Sequence, residues 1–367
     1  MARDMTRRGF VMAMAGAAST AFLAGCAGGQ SSSSATSATS AESTSSATSA
    51  SADAAAVDYK ILINKKHAIP DDWESRIKLV HHDNVADWGT DVEAKAYDAF
   101  LALKKDLEAD DVHIDLDSAY RSVESQQKVW DEFTEKYGAE YTKQHVAPPH
   151  YSEHHTGLAL DLFLIIDGKN VYENEDMVQH PDIWEKVHAK LADHGFILRY
   201  LPEKKIETGY SYEPWHLRYL DDVDLAHQVA DAGVTYERFL NDLDASIADC
   251  VVDYGSSTLY IESDMDAALD GILEEFGGWK GCVLQRLAYA GDEACGADEV
   301  AYVNSLREEG AEEFKQAMVF ESEFHSPSAA DAEGTAWEPD TDYKGWTWHL
   351  GRTGEQGGWK LVGFGQG

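Results

Sequence analysis

The chain has 367 residues, which is long enough for two domains with separate hydrophobic cores. It carries 66 acidic and 30 basic residues, which gives a formal net charge of −36 at pH 7. A folded surface with this charge repels nucleic acid and anionic lipid headgroups, so the composition excludes nucleic-acid-binding proteins and we expect no nucleic-acid partner.

The first 26 residues predict a signal peptide for export and lipid attachment. Residues 6–10, Thr-Arg-Arg-Gly-Phe, precede an uncharged run of small and apolar residues at 11–24, too short to cross a bilayer as a helix. The Arg7-Arg8 pair resembles a twin-arginine export signal, and the residues ending at Cys26, Leu-Ala-Gly-Cys, resemble the lipobox of bacterial lipoproteins. We therefore expect a lipid anchor on Cys26 that holds the protein at the outer face of the cytoplasmic membrane.

Residues 27–57 predict a disordered tether. From residue 30 onward this stretch is almost entirely Ser, Ala and Thr, and it lacks the large apolar side chains needed to offset the entropy of ordering a backbone. A tether of this kind lets an anchored catalytic domain reach outward from the membrane.

Residues 58–247 predict an α+β domain in which helices pack on a small antiparallel sheet. Apolar residues recur at helical spacing over 92–107, and a second helix is expected to begin near Ser122 and to end at Gly138. A third helix is expected to open with a capping box at 182–185.

Two strand signals lie between these helices. The residues from Val112 to Leu116 alternate between apolar and polar, as in a half-buried strand. The apolar run at 158–166 is closed by Asp167-Gly168, a strong turn dipeptide, which predicts a hairpin.

Residues 253–367 predict an accessory α+β module. A helix capped within 263–266 is followed by a second helix at 298–306, and strand-like segments dominate the end of the chain. Helices followed by a curved antiparallel sheet resemble the NTF2-like domains appended to many bacterial lipoproteins. Trp346, Trp348 and Trp359 could line a ligand pocket, but aromatic alternation in strands favours the core.

The number and spacing of the cysteines limit the disulfides and thiolate metal sites that the chain can form. With Cys26 taken by lipid, at most two of Cys250, Cys282 and Cys295 can pair within the chain, and Cys282 with Cys295 is the expected disulfide. The sequence has no Cys-x-x-Cys pattern, so it offers no thiolate zinc site.

Two motifs carry the chemistry. Residues 152–161, Ser-Glu-His-His-Thr-Gly-Leu-Ala-Leu-Asp, place Asp161 as the lone charge in an apolar run, and a buried carboxylate needs a cation, which His154 could share. Residues 213–216, Glu-Pro-Trp-His, supply His216 as a second imidazole. Two His and one Asp suit a catalytic zinc ion, because three protein ligands leave one position for water, and Glu213 is left as the base.

These motifs resemble the VanY-type D-alanyl-D-alanine carboxypeptidases of the M15 zinc peptidase family, and the similarity extends to Ser-Ala-Tyr-Arg-Ser at 118–122. The resemblance implies cleavage of the C-terminal D-alanine from peptidoglycan stem peptides. It implies roles for seven residues, namely His154, Asp161 and His216 as zinc ligands, Glu213 as general base and acid, Arg121 as the cation near the scissile carbonyl, and Gln126 and Ser152 as substrate contacts.

The sequence does not decide which anion Arg121 binds. Its planar guanidinium suits either the oxyanion at the scissile carbonyl or the terminal carboxylate of the peptide, and Arg199 is the next candidate for the anion site.

Other activities compatible with the motifs are an L,D-carboxypeptidase or endopeptidase acting on stem peptides, and a non-catalytic cell-wall-binding lipoprotein. The resemblance does not separate D,D from L,D specificity, because that discrimination depends on pocket shape. The retained Glu213 argues against a non-catalytic role.

Overall fold

The N-terminal half of the protein is built on a small antiparallel sheet. The computed structural model describes residues 56–332, 335, 337–355 and 357–366. A separate hairpin precedes the sheet, whose strand order is β3-β4-β7-β6 with β5 paired to β4. The strands are β1 (Leu79–Asp83), β2 (Gly89–Glu93), β3 (Ile114–Ser118), β4 (Ala159–Ile166), β5 (Lys169–Val171), β6 (Phe196–Leu198) and β7 (His216–Tyr219).

Helices surround this sheet and bury its apolar residues. They are α1 (Ala94–Glu108), α2 (Val123–Tyr137), α3 (Ala139–His145), α4 (Asn174–Met177), α5 (Pro181–Leu191), α6 (Lys205–Thr208), α7 (Val223–Ala232) and α8 (Tyr236–Phe239). The core between them contains strand residues such as Leu162 and Leu217 and helix residues such as Phe100 and Trp184, all at most 1% exposed. The mixed α+β architecture predicted for this half is thus confirmed.

The predicted signal peptide, the lipidation site Cys26 and all of the tether up to residue 55 lie outside the described residues. Within the described ranges, the structure has no helix that is both long enough and apolar enough to span a bilayer.

Local signals located some elements correctly. The Ser122 hydroxyl caps α2 by accepting a hydrogen bond from the N–H of Ser125, and Gly138 follows the last residue of that helix, as predicted. Asp167 and Gly168 have φ angles of 52° and 72°, the left-handed values that a two-residue hairpin turn needs, and they join β4 to β5.

Two predicted helix starts in this half were wrong. Val92 belongs to β2, and α1 begins at Ala94, because the Glu93 carboxylate accepts hydrogen bonds from the N–H groups of the first turn. Helix α5 begins at Pro181 with His180 at the N-cap, and no described side chain caps it, so the capping box at 182–185 is absent. Proline is well suited to the first helical position, and it sets this start.

The C-terminal half contains a second five-stranded sheet of order β12-β11-β10-β9-β8. Its elements are β8 (Val251–Asp253), α9 (Glu262–Phe276), β9 (Val283–Tyr289), α10 (Ala297–Ser305), β10 (Gln316–His325), β11 (Asp342–Arg352) and β12 (Lys360–Gln366). The expected antiparallel sheet is correct except at one edge, where β8 pairs with β9 in parallel. Helix α9 is the crossover that a parallel pair requires.

Helix α9 begins at Glu262, one residue before the predicted cap at 263–266. The N–H of Ile261 donates to the Asp264 carboxylate at 3.5 Å, so an acidic residue inside the first turn satisfies the backbone there. Trp348 and Trp359 are 0% and 1% exposed, which confirms them as core residues, whereas Trp346 is partly exposed.

The predicted disulfide between Cys282 and Cys295 is wrong. Cys250, Cys282 and Cys295 are free thiols in the described part of the chain. Cys282 precedes β9 and Cys295 follows it, so a strand of seven residues, about 20 Å long, separates them. A disulfide needs Cα atoms within about 7 Å.

Candidate active site

The candidate site lies where the central strands of the N-terminal sheet meet. The register of β3 on β4 pairs Ser118 with Asp161, and the register of β4 on β7 pairs Asp161 with His216. Residues directly opposite on neighbouring strands project their side chains from the same face of a sheet. Strand pairing therefore brings three polar side chains from distant parts of the sequence together.

His154 reaches the same point from a short 3-10 helix, Glu153–Thr156, just before β4. Gly157 ends this helix in the left-handed conformation, with φ of 67°, and its N–H donates to the His154 carbonyl at 3.2 Å. A side chain disfavours that conformation, so glycine allows the chain to turn from His154 directly into β4.

His154, Asp161 and His216 form the group of residues best suited to hold a metal ion in the described part of the chain. Their ligand atoms all lie within 4.8 Å of one another. Nε2 of His154 is 3.1 Å from Oδ2 of Asp161, and Nδ1 of His216 is 3.0 Å from Oδ1. Burial disfavours charge on Asp161, but the two imidazoles hold the pKa of its carboxyl well below the usual range.

Hydrogen bonds orient both imidazoles toward this centre. Nδ1 of His154 is 2.7 Å from the Ala119 carbonyl, which can only accept, so Nδ1 carries the proton and Nε2 presents its lone pair. Nε2 of His216 is 3.0 Å from the Glu153 carboxylate, which leaves Nδ1 toward Asp161. Such outer hydrogen bonds accompany metal-ligating histidines.

The donor set fits a metal ion. Among the described residues, only Nδ1 of His216 comes near the buried atom Oδ1 of Asp161, and the 3.0 Å contact lacks hydrogen-bond geometry, so this carboxylate oxygen is left available for a cation. Two imidazoles and one carboxylate are ligands that zinc accepts, and they leave a fourth tetrahedral position open. Asp161 and Glu153 raise the pKa of His216 to about 10 despite burial, so metal binding would displace a proton from this ring.

Glu153 is a functional residue that sequence reasoning missed. Its side chain is 1% exposed and accepts hydrogen bonds from Nε of Arg199 and Nη1 of Arg218, both at 2.8 Å, in addition to its contact with His216. The sequence did contain a signal for this residue. Arg199 and Arg218 each stand beside strongly apolar residues, which indicates burial, and a buried guanidinium group needs a carboxylate partner.

The alternative assignment of Arg199 to an anion site was wrong. Its guanidinium is 0% exposed and is held by Glu153 and by both carboxylate oxygens of Glu237. Because its Nε, Nη1 and Nη2 atoms all donate to these two carboxylates, Arg199 is not available to bind a substrate anion.

Glu213 lies beside the three candidate ligands without being one of the group. Its Oε2 is 3.6 Å from Nδ1 of His216. Burial, reinforced by Asp161, raises the pKa of Glu213 to about 7 although His216 opposes the shift. The bond between Nε2 of His188 and the Pro214 carbonyl, 2.9 Å long, fixes the backbone next to it.

Arg121 and Gln126 form a connected pair on another wall. Nη1 of Arg121 donates to Oε1 of Gln126 at 2.9 Å, and Nε2 of Gln126 donates to the Ala147 carbonyl at 2.7 Å. The Arg121 N–H also donates to the His154 carbonyl at 3.1 Å, which ties this wall to the metal-binding group.

All seven residues singled out in the sequence line one cavity of about 150 Å³. Ser152 lies at its edge, immediately before the helix that carries His154. Asp117 also lines the cavity and was missed, and burial together with Asp161 raises its pKa to about 7. Tyr200 and Tyr210 complete the wall next to His216.

The segment that contains this site matches a known family. Residues 89–222 match the family model described as VanY: D-alanyl-D-alanine carboxypeptidase. We call this matching segment the VanY-family domain. The domain includes every predicted site residue described by the structure, and the match ends before the C-terminal sheet begins.

Known proteins similar to this chain include two curated relatives of the VanY-family domain. The bifunctional D-Ala-D-Ala dipeptidase and carboxypeptidase VanXYC of Enterococcus gallinarum is 39% identical over 112 residues, which cover 29% of this chain and 56% of the relative. A D-alanyl-D-alanine carboxypeptidase of Enterococcus faecalis is 31% identical over 192 residues, which cover 49% and 65%. The chain thus spans less than two thirds of the length of either relative.

A solved structure of VanYB in complex with D-alanine-D-alanine is also similar to this chain. It is 28% identical and the match covers 50% of this chain and 97% of that one, with a TM-score of 0.41.

Proposed function

We propose that this protein is a zinc-dependent D-alanyl-D-alanine carboxypeptidase that removes the C-terminal D-alanine from peptidoglycan stem peptides. The observation that carries the proposal is the group His154, Asp161 and His216 with the unliganded carboxylate of Glu213 beside it. The match of residues 89–222 to the VanY family supports this activity.

His154, Asp161 and His216 are the residues that would hold zinc. When bound, zinc lowers the pKa of a coordinated water toward neutrality and polarises the scissile carbonyl. Glu153 and the Ala119 carbonyl keep the two imidazoles in the orientation and tautomer that binding requires.

Glu213 acts as the general base and then as the general acid. Burial raises the pKa of this carboxyl group, which strengthens it as a base. It can therefore accept a proton from the attacking water and deliver it to the leaving amine of D-alanine without a large penalty in either direction.

Arg121 binds the negative charge of the substrate. Gln126 accepts a hydrogen bond from Nη1 of Arg121, and this bond fixes the guanidinium plane in the cavity. A fixed planar donor suits the oxyanion that forms at the scissile carbonyl. Gln126 and Ser152 also line the cavity and are the proposed contacts for the peptide.

Lipid attachment and export complete the proposal. Acylation of Cys26 after twin-arginine export would place the enzyme at the outer face of the cytoplasmic membrane, next to the peptidoglycan. The NTF2-like character of the C-terminal module is likewise a proposal, supported by its two helices and its five-stranded, mostly antiparallel sheet.

The proposal is tested with defined muropeptides. The purified full chain is incubated with a pentapeptide ending in D-Ala-D-Ala and, separately, with the tetrapeptide. The products are identified by mass spectrometry. We expect loss of one D-alanine from the pentapeptide alone. Cleavage of the tetrapeptide alone would indicate an L,D-carboxypeptidase, internal cleavage an endopeptidase, and no cleavage with bound zinc a wall-binding protein.

A further inference from the structure

The C-terminal module contacts two segments that form walls of the cavity. One segment is the end of α3 with the residues that follow it, where His145, Val146 and Ala147 line the cavity. The other is the loop after α6, where Tyr210 and Glu213 line it. Both segments belong to the VanY-family domain, but both also contact the C-terminal module.

The first contact joins α3 to the turn before β12. Nε2 of Gln144 donates to the Trp359 carbonyl at 2.7 Å, and the Trp359 N–H donates to Oε1 of Gln144 at 3.0 Å. Gly358 lies so close to α3 that a Cβ atom added there would be 2.4 Å from the backbone nitrogen of Tyr141. A turn packed this closely fixes the position of the helix that leads into the cavity wall.

The second contact joins α6 to α9. Ile206 is 7% exposed and belongs to the hydrophobic core of the C-terminal module, together with α9 residues such as Leu269. Nζ of Lys205, whose side chain is 3% exposed, is 3.2 Å from Oδ2 of Asp270. The Asp270 side chain is 16% exposed, so Lys205 in particular would find little solvent to replace its partner if the pair separated.

The loop that follows α6 is bound to the same face of α9. The Ser211 hydroxyl lies close enough to the carboxylate of Asp266 to lower its pKa, and this carboxylate, on a residue 2% exposed, accepts a hydrogen bond from the Tyr254 hydroxyl. Ser211 is two residues from Glu213. The carboxylates of Asp266 and Asp270, one helical turn apart, therefore hold the loop at its start and close to the base.

We propose that the C-terminal module is a positioning element of the active site, in which Asp266 and Asp270 of α9 fix the loop that carries Glu213. The inference rests on the proposed carboxypeptidase function for its kinetic readout. It assigns a role to residues outside the VanY-family match, none of which touches the substrate.

The test compares two variants of the full chain that change the same helix. Asp270→Asn removes the charge that pairs with Lys205 and, at 3.5 Å, with Lys65. Glu274→Gln, one turn further along α9, removes an exposed contact with Lys143 and serves as the matched control. We expect Asp270→Asn to lower kcat on the pentapeptide about tenfold or more, because small displacements of a reacting group are costly, with KM within about twofold and zinc content unchanged. Glu274→Gln should behave like the wild type.

Hydrogen exchange provides a readout that needs no substrate. Amides of residues 205–216 should exchange faster in Asp270→Asn than in the wild type or Glu274→Gln, while the rest of the VanY-family domain stays protected. If the wild type cleaves no stem peptide, the proposed function fails but exchange still tests the positioning. Unchanged kcat together with unchanged exchange in this loop would overturn the inference.

Ser211→Ala covers the case in which Asp270→Asn does not fold. It deletes one hydroxyl from the loop and leaves the buried ion pair intact. We expect a smaller fall in kcat and faster exchange of residues 209–216. Wild-type values for both quantities in a folded Ser211→Ala protein would also overturn the inference.

Discussion

Glu213 combines a pKa near neutrality with a position just outside the metal-binding group. Glu213→Gln should keep stoichiometric zinc, because the carboxylate is not a ligand, but should lower kcat by about a hundred- to ten-thousandfold, the range for a lost general base. Metal analysis and kinetics on one preparation check both points, with the exposed Glu185→Gln as control. Loss of zinc from Glu213→Gln would move this residue into the ligand set.

Arg121 offers a test of shape against charge. Arg121→Lys keeps the positive charge but loses the planar fork and its bond to Gln126, so we expect a fall in kcat/KM on the order of a hundredfold. A loss mainly in kcat identifies the oxyanion as the partner, and a loss mainly in KM identifies the terminal carboxylate. Arg286→Lys, in an exposed ion pair of the other module, is the control. Near-normal kinetics would show that Arg121 has a structural role and does not bind the reacting anion.

Glu153 is the residue whose removal should cost most stability. Glu153→Gln leaves Arg199 and Arg218 with less compensating charge in the interior, and we expect the free energy of unfolding to fall by about 3–5 kcal/mol. The arginines and His216 hold its pKa far below the usual value despite burial, so this stabilisation exists at neutral pH and is lost in acid. Urea unfolding of metal-free samples at pH 7 and in acid should show the two proteins converging as pH falls.

At this scale the sequence predicted the residues that lie in the cavity but not those that orient them. His154, Asp161 and His216 stand in two gapped motifs, so their proximity could be inferred. Glu153 lies inside the first motif, yet its partner Arg218 lies in β7 and its partner Arg199 directly follows β6, and the pairing of these two strands brings them to it.

The short helix before β4 depends on one glycine. Gly157→Ala should lower zinc affinity because a left-handed φ costs a side-chain-bearing residue about 1–2 kcal/mol, and relaxing it would move His154. Gly168→Ala is a matched control, since its φ of 72° carries the same strain in a hairpin away from the site. Titration of metal-free protein with zinc should show weaker binding for the first variant only. Equal affinities would mean that the turn adapts without moving the ligand.

Element boundaries were predictable where one residue decides them. Ser122 and Gly138 delimit α2 as expected, because capping is a local interaction. Pro181 overrode the capping signal at 182–185, since a fixed φ at the first helical position determines the start. The Cys282–Cys295 pairing failed for the opposite reason, because a disulfide depends on topology that cysteine spacing does not contain.

Export and anchoring belong to the scale of the whole molecule. Cys26→Ser should release the protein from membranes into the soluble fraction, because acylation requires the thiol. Replacing both Arg7 and Arg8 with Lys should block export and serves to separate translocation from anchoring. Fractionation followed by immunoblotting checks both. A Cys26→Ser protein that stays in the membrane fraction would indicate that the uncleaved apolar run anchors it.

The two bonds between Gln144 and Trp359 connect residues 215 positions apart in the sequence. Contacts between distant residues form late in folding, because closing a long loop costs entropy before the contact compensates for it. The three ligands assemble with the N-terminal sheet, whereas the cavity wall at α3 waits for the last strand of the chain. On this argument we expect the metal-binding group to form before the cavity is complete.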